Sequence, residues 1–344
     1  MLTINMLSSA EKVKGQGVMS AYIEQVNLVK NELNSEFEVN INKFKFCDIT
    51  HYHTIDFKFF LSIPFFKIKG PTVAYVHFVP ETIEDSLKLP LLVKKIFYKY
   101  IIWFYKKVDY LVVVNPYFID VLQNYGIEKS KATYIPNFVS EDNFYRCTEE
   151  KRLSFKKSFG IPLDKFVVLG VGQVQTRKGV LDFIETAKKL PDIQFVWAGG
   201  FSFGSITEGY TELKEIVKNP PNNVKFLGII DREKMNSLYN TADLMFLPSY
   251  NELFPMSILE ALSLKIPVLL RDIDIYKVIL FDYYLKGNNI NEFSSIIRNL
   301  KNDNTMYNKW SKNSARCHDF YSKEHVLTQW KSFYNKIYYK KNKI

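Results

Sequence analysis

Cysteine is scarce. Cys47, Cys147 and Cys317 are the only three in 344 residues, and they stand far apart. No C-x-x-C pair and no disulfide framework can be built from them, which argues against a structural zinc module and for a reducing compartment. Long apolar runs are missing too: nothing approaches the ~18 residues a spanning helix needs. The opening MLTINMLSSAEKVKG has no apolar stretch behind a basic start, so no secretory signal is expected. Neither a G-x-G-x-x-G turn nor a Walker lysine loop occurs, which leaves a dinucleotide or P-loop site without support. Asp272-Ile273-Asp274 comes nearest to an Asp-x-Asp metal motif and is not read as one.

What is present is globular in kind. Apolar residues make up 47% and charged residues 24%, so the chain can bury a core, and its length suits two domains. The net charge is +10, unevenly placed. Residues 1–150 carry as many acids as bases, yet Lys88, Lys94, Lys95, Lys99, Lys106 and Lys107 stand between Ser86 and Val108 with no acid among them. The tail from Trp330 to Ile344 is likewise lysine-rich and acid-free. Such clusters suit an anionic partner, or else reflect a generally lysine-rich composition.

Short apolar runs alternate with longer amphipathic stretches. Strands are predicted at Leu2–Leu7, Glu38–Phe44, Asp48–His53, Thr72–His77, Tyr110–Asn115 and Thr133–Pro136. A helix is predicted over Val18–Leu33, another between the fourth and fifth strands, and a third from Pro116 to near Gly126. A second series gives strands at Phe166–Val171, Gln194–Ala198, Val224–Leu227, Leu244–Leu247 and Pro267–Leu270, with helices at Val180–Leu190, Glu208–Lys218, Asp231–Asn240 and Met256–Leu264, and further helices from Asn291 on. Strands separated by helices imply parallel sheets. The expectation is an α/β protein of two Rossmann-like doubly wound domains facing a cleft. Residues 1–150 form the first, 151–325 the second, and 326–344 a terminal helix packing back on the first. The polar stretch Ser140–Phe159 is the join.

Ligands of such sheets bind beyond the carboxyl ends of the strands, and several unusual residues fall there. Glu252 precedes a helix opened by Pro255, and Glu260 lies about one and a half turns inside it. The free amides of that helix start suit a phosphate, and two carboxylates beside it suit sugar hydroxyls. The bland alternative is a carboxylate complementing the helix dipole. Arg177 and Lys178 follow the first strand of the second series, where two cations can hold a diphosphate; alone they read equally as a solvated basic loop. Gly15-Gln16-Gly17-Val18 follows the first strand of the chain, as a phosphate- or sugar-approaching turn or simply a tight one. His77 ends a strand, placed to bond a sugar hydroxyl or to sit half-buried. His51 and His53 are weaker alternates.

Taken together, Glu252 and Glu260 with seven residues between them, Arg177-Lys178-Gly179, His77, Gly17 and Tyr134-Ile135-Pro136-Asn137 resemble a family 4 retaining glycosyltransferase of the GT-B fold, over nearly the whole chain. Within it, Gly172-Gln-Val-Gln-Thr-Arg-Lys-Gly179 and Leu270-Arg271-Asp272-Ile273 resemble Gram-positive enzymes that add a second hexose to monoglucosyl-diacylglycerol. The resemblance implies a UDP-hexose donor, glucose or galactose, and no metal. It implies that Glu252 binds the donor hexose, Glu260 the ribose, Arg177 and Lys178 the diphosphate, and His77 the sugar near the reacting centre. Gly17, Phe254 and Met256 complete the donor contacts. Two departures are Gln173, where many members carry arginine, leaving that task to Arg177, and Pro255, which replaces a frequent glycine and removes one amide.

A glycolipid acceptor fits the stretch Leu87–Tyr110. Its lysines suit anionic headgroups, and Phe97, Trp103 and Phe104 suit the acyl boundary. A cytoplasmic protein, peripheral on the inner face of the membrane, is expected, with no nucleic-acid partner. The alternatives are a polysaccharide or protein glycosyltransferase, or a non-catalytic sugar-nucleotide or polyanion binder that kept the fold.

Overall fold

The computed structural model describes residues 1–10, 17–83, 90–202, 204 and 207–342. Gly15, Gln16 and Lys88 therefore lie outside the described residues. The first unit runs β1 (Leu2–Leu7), α1 (Gly17–Glu32), β2 (Phe37–Ile41), β3 (Ile49–Tyr52), α2 (Phe57–Lys69), β4 (Thr72–Val76), α3 (Pro80–Ile83), α4 (Leu91–Lys107), β5 (Tyr110–Val113), α5 (Tyr117–Asn124) and β6 (Ala132–Tyr134). After α6 (Glu149–Ser158) the second unit runs β7 (Val167–Val171), α7 (Val180–Lys188), β8 (Gln194–Ala198), α8 (Tyr210–Lys218), β9 (Val224–Gly228), α9 (Arg232–Tyr239), β10 (Leu244–Leu247), α10 (Met256–Ser263), β11 (Val268–Arg271), α11 (Asp274–Leu280), β12 (Leu285–Gly287) and α12 (Ile290–Asn302). Two long helices, α13 (Asn304–Phe320) and α14 (Lys323–Asn342), follow.

The strands form two six-stranded sheets, ordered β2-β1-β3-β4-β5-β6 and β12-β11-β10-β7-β8-β9. Every pairing is parallel. Parallel sheets are covered on both faces, so their strands read as continuous apolar runs. β4 and β10 are accordingly buried at every position. Aspartates at strand starts help set the register. Asp48 accepts hydrogen bonds from the Thr3 amide at 2.9 Å and hydroxyl at 2.8 Å. Asp109 does the same for Thr72, at 2.9 and 2.8 Å, and Asp243 accepts from the Val167 amide at 2.8 Å.

Four expectations need correction. β2 stops at Ile41 rather than reaching Phe44, because Asn42 turns the chain at φ 53°. The polar join contains a helix, α6, whose Arg152 reaches Asp243 at 3.1 Å. α2 was not anticipated, since Pro64 stands inside it and its residues are apolar over most of its surface. The lysine-rich tail is not simply an anion-binding surface. Lys331 pairs with Glu36 at 2.5 Å, and Lys341 donates to the carbonyl of Gly70 at 2.9 Å.

α14 lies against the first unit. The Tyr334 hydroxyl meets His51 Nδ1 at 2.8 Å and accepts from Gln25 Nε2 at 3.1 Å. The ring of Trp330 sits 5.8 Å from Tyr75, and Trp330, Phe333, Tyr334 and Ile337 are buried.

Candidate active site

In the second sheet the strand order reverses between β7 and β10, and a doubly wound sheet binds ligands at such a point. The turn after β7 carries Arg177 and Lys178; the loop after β10 carries Glu252. Gly179 brings them together. Its φ is +69°, and a Cβ there would stand 2.3 Å from the Pro248 carbonyl oxygen, so only glycine lets this turn press against the end of β10. The Tyr250 amide then donates to the Arg177 carbonyl at 2.9 Å.

Lys178 Nζ donates to Glu252 Oε1, and both side chains are buried. Arg177 stands 3.5 Å from Glu252 Oε2 and donates to the Asn251 carbonyl at 2.6 Å. Burial opposes ionisation of Glu252, but Lys178 and Arg177 outweigh it and hold the carboxyl below its ordinary range. Burial, with Arg177 alongside, brings Lys178 below its ordinary value despite Glu252. Two cations and one carboxylate leave the cluster at +1, suited to an anionic group bearing hydroxyls.

The loop ahead of α10 is held from the first unit. Asn251 Nδ2 donates to the Glu81 carbonyl at 3.0 Å. Asn115 Nδ2 donates to the Leu253 carbonyl at 3.0 Å, and Asn137 Nδ2 to that of Phe254 at 3.4 Å. Asn115 and Asn137 follow β5 and β6, so the carboxyl edges of the two sheets face each other here. Phe254 and Met256 are buried, Phe254 edge-on to Tyr321 at 4.9 Å, and Pro255 leaves the α10 N-terminus without a side-chain cap.

Glu260 lies elsewhere on α10 with partners of its own. It accepts from Tyr239 Oη at 2.7 Å and from Arg232. Arg232 reaches Glu24 of α1 at 3.0 Å, bridging the units through two buried acids. Burial raises Glu24 above the usual carboxylate range against the pull of Arg232.

His77 joins neither group. It stacks on Tyr75 at 4.4 Å, 6.5 Å from His53, which in turn lies 4.3 Å from His51. Burial lowers His51 and His77 to about 3 and His53 well below its usual value, so all three rings are neutral at pH 7. Among the described residues, Nε2 of His77 and both ring nitrogens of His53 make no hydrogen bond. Gly17 opens α1, and among the described residues nothing stands within 4 Å of where its Cβ would be.

Sequence reasoning missed Arg232, Glu24 and Asn115, and it quoted Arg271 within a motif without giving it a role. Arg271 donates to the Pro248 carbonyl at 3.1 Å, bonds Asp182 and lies 4.0 Å over the Tyr250 ring, tying β11 to the loop after β10. An acid in the apolar face of α1, with Tyr22, Val26 and Val29 buried around it, was the available signal for Glu24.

A separate surface belongs to α2 and α4. Phe57, Leu61, Phe65 and Ile68 share one face of α2 and are 51–78% exposed, as are Leu91, Leu92 and Ile96 of α4 at 62–78%. Trp103 packs on Phe60 at 4.6 Å, which makes one aromatic band of the two helices. Among the described residues, no carboxylate pairs with Lys94, Lys95, Lys99, Lys106 or Lys107. Phe104 does not belong to this face: it is wholly buried with Ile101 and Tyr105, because the helix turns it toward the sheet. No described helix is long and apolar enough to cross a membrane, and no group of three His, Cys, Asp or Glu among the described residues could hold a metal ion.

Two doubly wound units meeting at their carboxyl edges, with a cation–carboxylate cluster at the switch point of the second, define a GT-B glycosyltransferase. The model of glycosyl transferases group 1 matches residues 151–316, and that of Glycosyltransferase Family 4 matches residues 41–143. The chain is 45% identical to the alpha-galactosylglucosyldiacylglycerol synthase of Streptococcus pneumoniae, over 97% of this chain and 90% of that one. It is 31% identical to the processive diacylglycerol alpha-glucosyltransferase of Acholeplasma laidlawii, over 67% of this chain and 69% of that one. The chain belongs to glycosyltransferase family 4. The crystal structure of Anabaena HepE with UDP and glucose superposes with a TM-score of 0.77 at 16% identity, covering 97% of this chain and 99% of that one. The GT-B architecture expected from the sequence is the one the chain adopts.

Proposed function

We propose that this glycosyltransferase moves a hexose from a UDP-sugar to glucosyl-diacylglycerol, retaining configuration and giving a diglycosyl-diacylglycerol. The observation that carries this reading is the near full-length 45% identity to the pneumococcal galactosylglucosyldiacylglycerol synthase. The switch-point cluster supports it chemically. As the bond from the anomeric carbon to the β-phosphate oxygen breaks, UDP departs with the electron pair. Arg177, Lys178 and the uncapped α10 amides meet that negative charge with fixed donors. The acceptor hydroxyl oxygen bonds to the anomeric carbon from the same face, and its proton passes to a departing phosphate oxygen. Glu252 takes donor hydroxyls. Glu260 takes the ribose, which requires it to share Arg232 and Tyr239. Gly17, Phe254 and Met256 shape the donor pocket, and neutral His77 faces the sugar as a hydrogen-bonding group.

The acceptor stays in the bilayer, so the enzyme acts on the inner membrane face. Lys94, Lys95, Lys99, Lys106 and Lys107 of α4 bind anionic headgroups at ~1 kcal/mol each, and the exposed stripe of α2 enters the acyl boundary. The test is incubation with glucosyl-diacylglycerol vesicles and labelled UDP-glucose or UDP-galactose, followed by lipid chromatography. A labelled diglycosyl lipid with one donor is expected; no lipid-linked label with either overturns the reading. Lys94, Lys95 and Lys99 changed together to glutamate should abolish sedimentation with phosphatidylglycerol vesicles. Undiminished sedimentation removes α4 from the membrane contact.

A further inference from the structure

Two cavities adjoin beside the reaction centre, and their linings differ in kind. The first, about 450 Å³, is walled by Tyr98, Ile102, Trp103 and Tyr125, with Lys99 and Lys106 beside them. The second, about 530 Å³, lies between Glu81 and Asn124 of the first unit and Asn251, Asp272 and Asp274 of the second. Glu81 is the wall between them. It accepts from the Tyr125 hydroxyl at 2.7 Å on the apolar side, and its carbonyl accepts from Asn251 Nδ2 at 3.0 Å on the polar side. Asn251 directly precedes Glu252. The order along the cleft is therefore apolar groove, Glu81, polar chamber, cation–carboxylate cluster. In the chamber, the buried Asp272 Oδ1 pairs with Lys277 Nζ at 3.6 Å, a long contact that leaves acceptor capacity on the carboxylate.

We infer that the two cavities form one site for an amphiphilic acceptor: the groove receives the upper part of an acyl chain, and the chamber receives the hexose headgroup, whose hydroxyls donate to Asp272 and Glu81. This rests on the glycolipid reading above. A headgroup embedded in a bilayer must rise to reach Glu252, and each methylene drawn into water with it weakens capture roughly fourfold. Aromatic and aliphatic walls beside the path remove that penalty. Lys99 and Lys106, both exposed, keep the mouth of the groove at the level of anionic headgroups.

The test compares kcat/KM for long-chain glucosyl-diacylglycerol in vesicles with that for chain-free methyl glucoside. Ile102→Trp fills the groove and should lower the lipid-to-glucoside ratio at least tenfold while vesicle sedimentation holds. Trp103→Ala, at an exposed position that does not threaten folding, should lower the ratio in the same direction. Asp272→Asn should raise KM for both acceptors together and leave the ratio alone. A ratio insensitive to both groove variants, or one that merely tracks vesicle sedimentation, overturns the groove. An Asp272→Asn protein altered only in UDP-sugar saturation overturns the chamber. Wild-type protein that glycosylates the free glucoside but no lipid overturns the glycolipid reading instead.

Discussion

Replacing Lys178 with methionine keeps the length of the side chain and removes its charge. Glu252, 5% exposed, then keeps Arg177, at 3.5 Å, as its one cationic partner among the described residues. Breaking a buried ion pair from one side costs ~3–5 kcal/mol, and the remaining arginine sets the expectation near the lower end, about 3 kcal/mol. At ~2–4 °C per kcal/mol for a domain of this size, the unfolding transition of the second unit should fall by roughly 6–12 °C. Changing Glu252 to glutamine in the same protein removes the stranded charge, so the double variant should recover part of that loss. The expected coupling is about 2 kcal/mol, within the ~0.5–3 kcal/mol seen for residues in contact. Urea unfolding of the four proteins reads the coupling, and calorimetric titration with UDP reads the site. UDP affinity should stay low in the double variant even as stability returns, because the cation is still missing. Additive stability effects would refute the pair as a coupled unit. Affinity returning along with stability would make Lys178 a structural residue alone.

Gly179→Ala places a methyl 2.3 Å from the Pro248 carbonyl in a left-handed turn, so both melting temperature and UDP affinity should fall; an unchanged melting temperature would mean the turn does not depend on glycine. His51, fully buried and lowered by burial to about 3, gives acid lability. The unfolded chain, titrating near 6.5, binds more protons between about pH 6.5 and 3, so stability falls as pH falls through that window; His51 alone accounts for about 2 kcal/mol at pH 5, and the depressed His53 and His77 add losses of the same sign. Urea midpoints from pH 7.5 to 5 check this, and a flat profile refutes it. Activity should persist in EDTA with vesicles prepared without divalent ions; strict dependence on magnesium or manganese would displace Arg177 and Lys178 from the leaving group.

The meeting of Arg177 and Lys178 with Glu252 was partly legible, because each follows a strand and strand ends bear the ligands of such sheets. That β7 and β10 are neighbours was not, since the strand order is a property of the folded sheet. Glu260 was visible as a motif residue, but Arg232 and Glu24, its link to the first unit, come from 28 and 236 positions away and share no pattern with it. Phe104 was misplaced because a helix apolar over most of its surface does not announce which face meets the sheet. α2 escaped notice for the same reason, with Pro64 added. The three histidines were seen as strand ends; their stacking depends on the adjacency of β3 and β4.

The contact of α14 with the first unit has a consequence for synthesis. The Tyr334 hydroxyl that meets His51 comes 283 residues later in the chain. At ~5–20 residues per second on the ribosome, the sheet that is made first waits roughly 15–55 seconds for Trp330 and Tyr334 to cover its histidines and Tyr75. During that interval an aromatic face stands open to chaperones and to other nascent chains. Shortening the chain at its far end would therefore be felt first in the half of the molecule that was translated first.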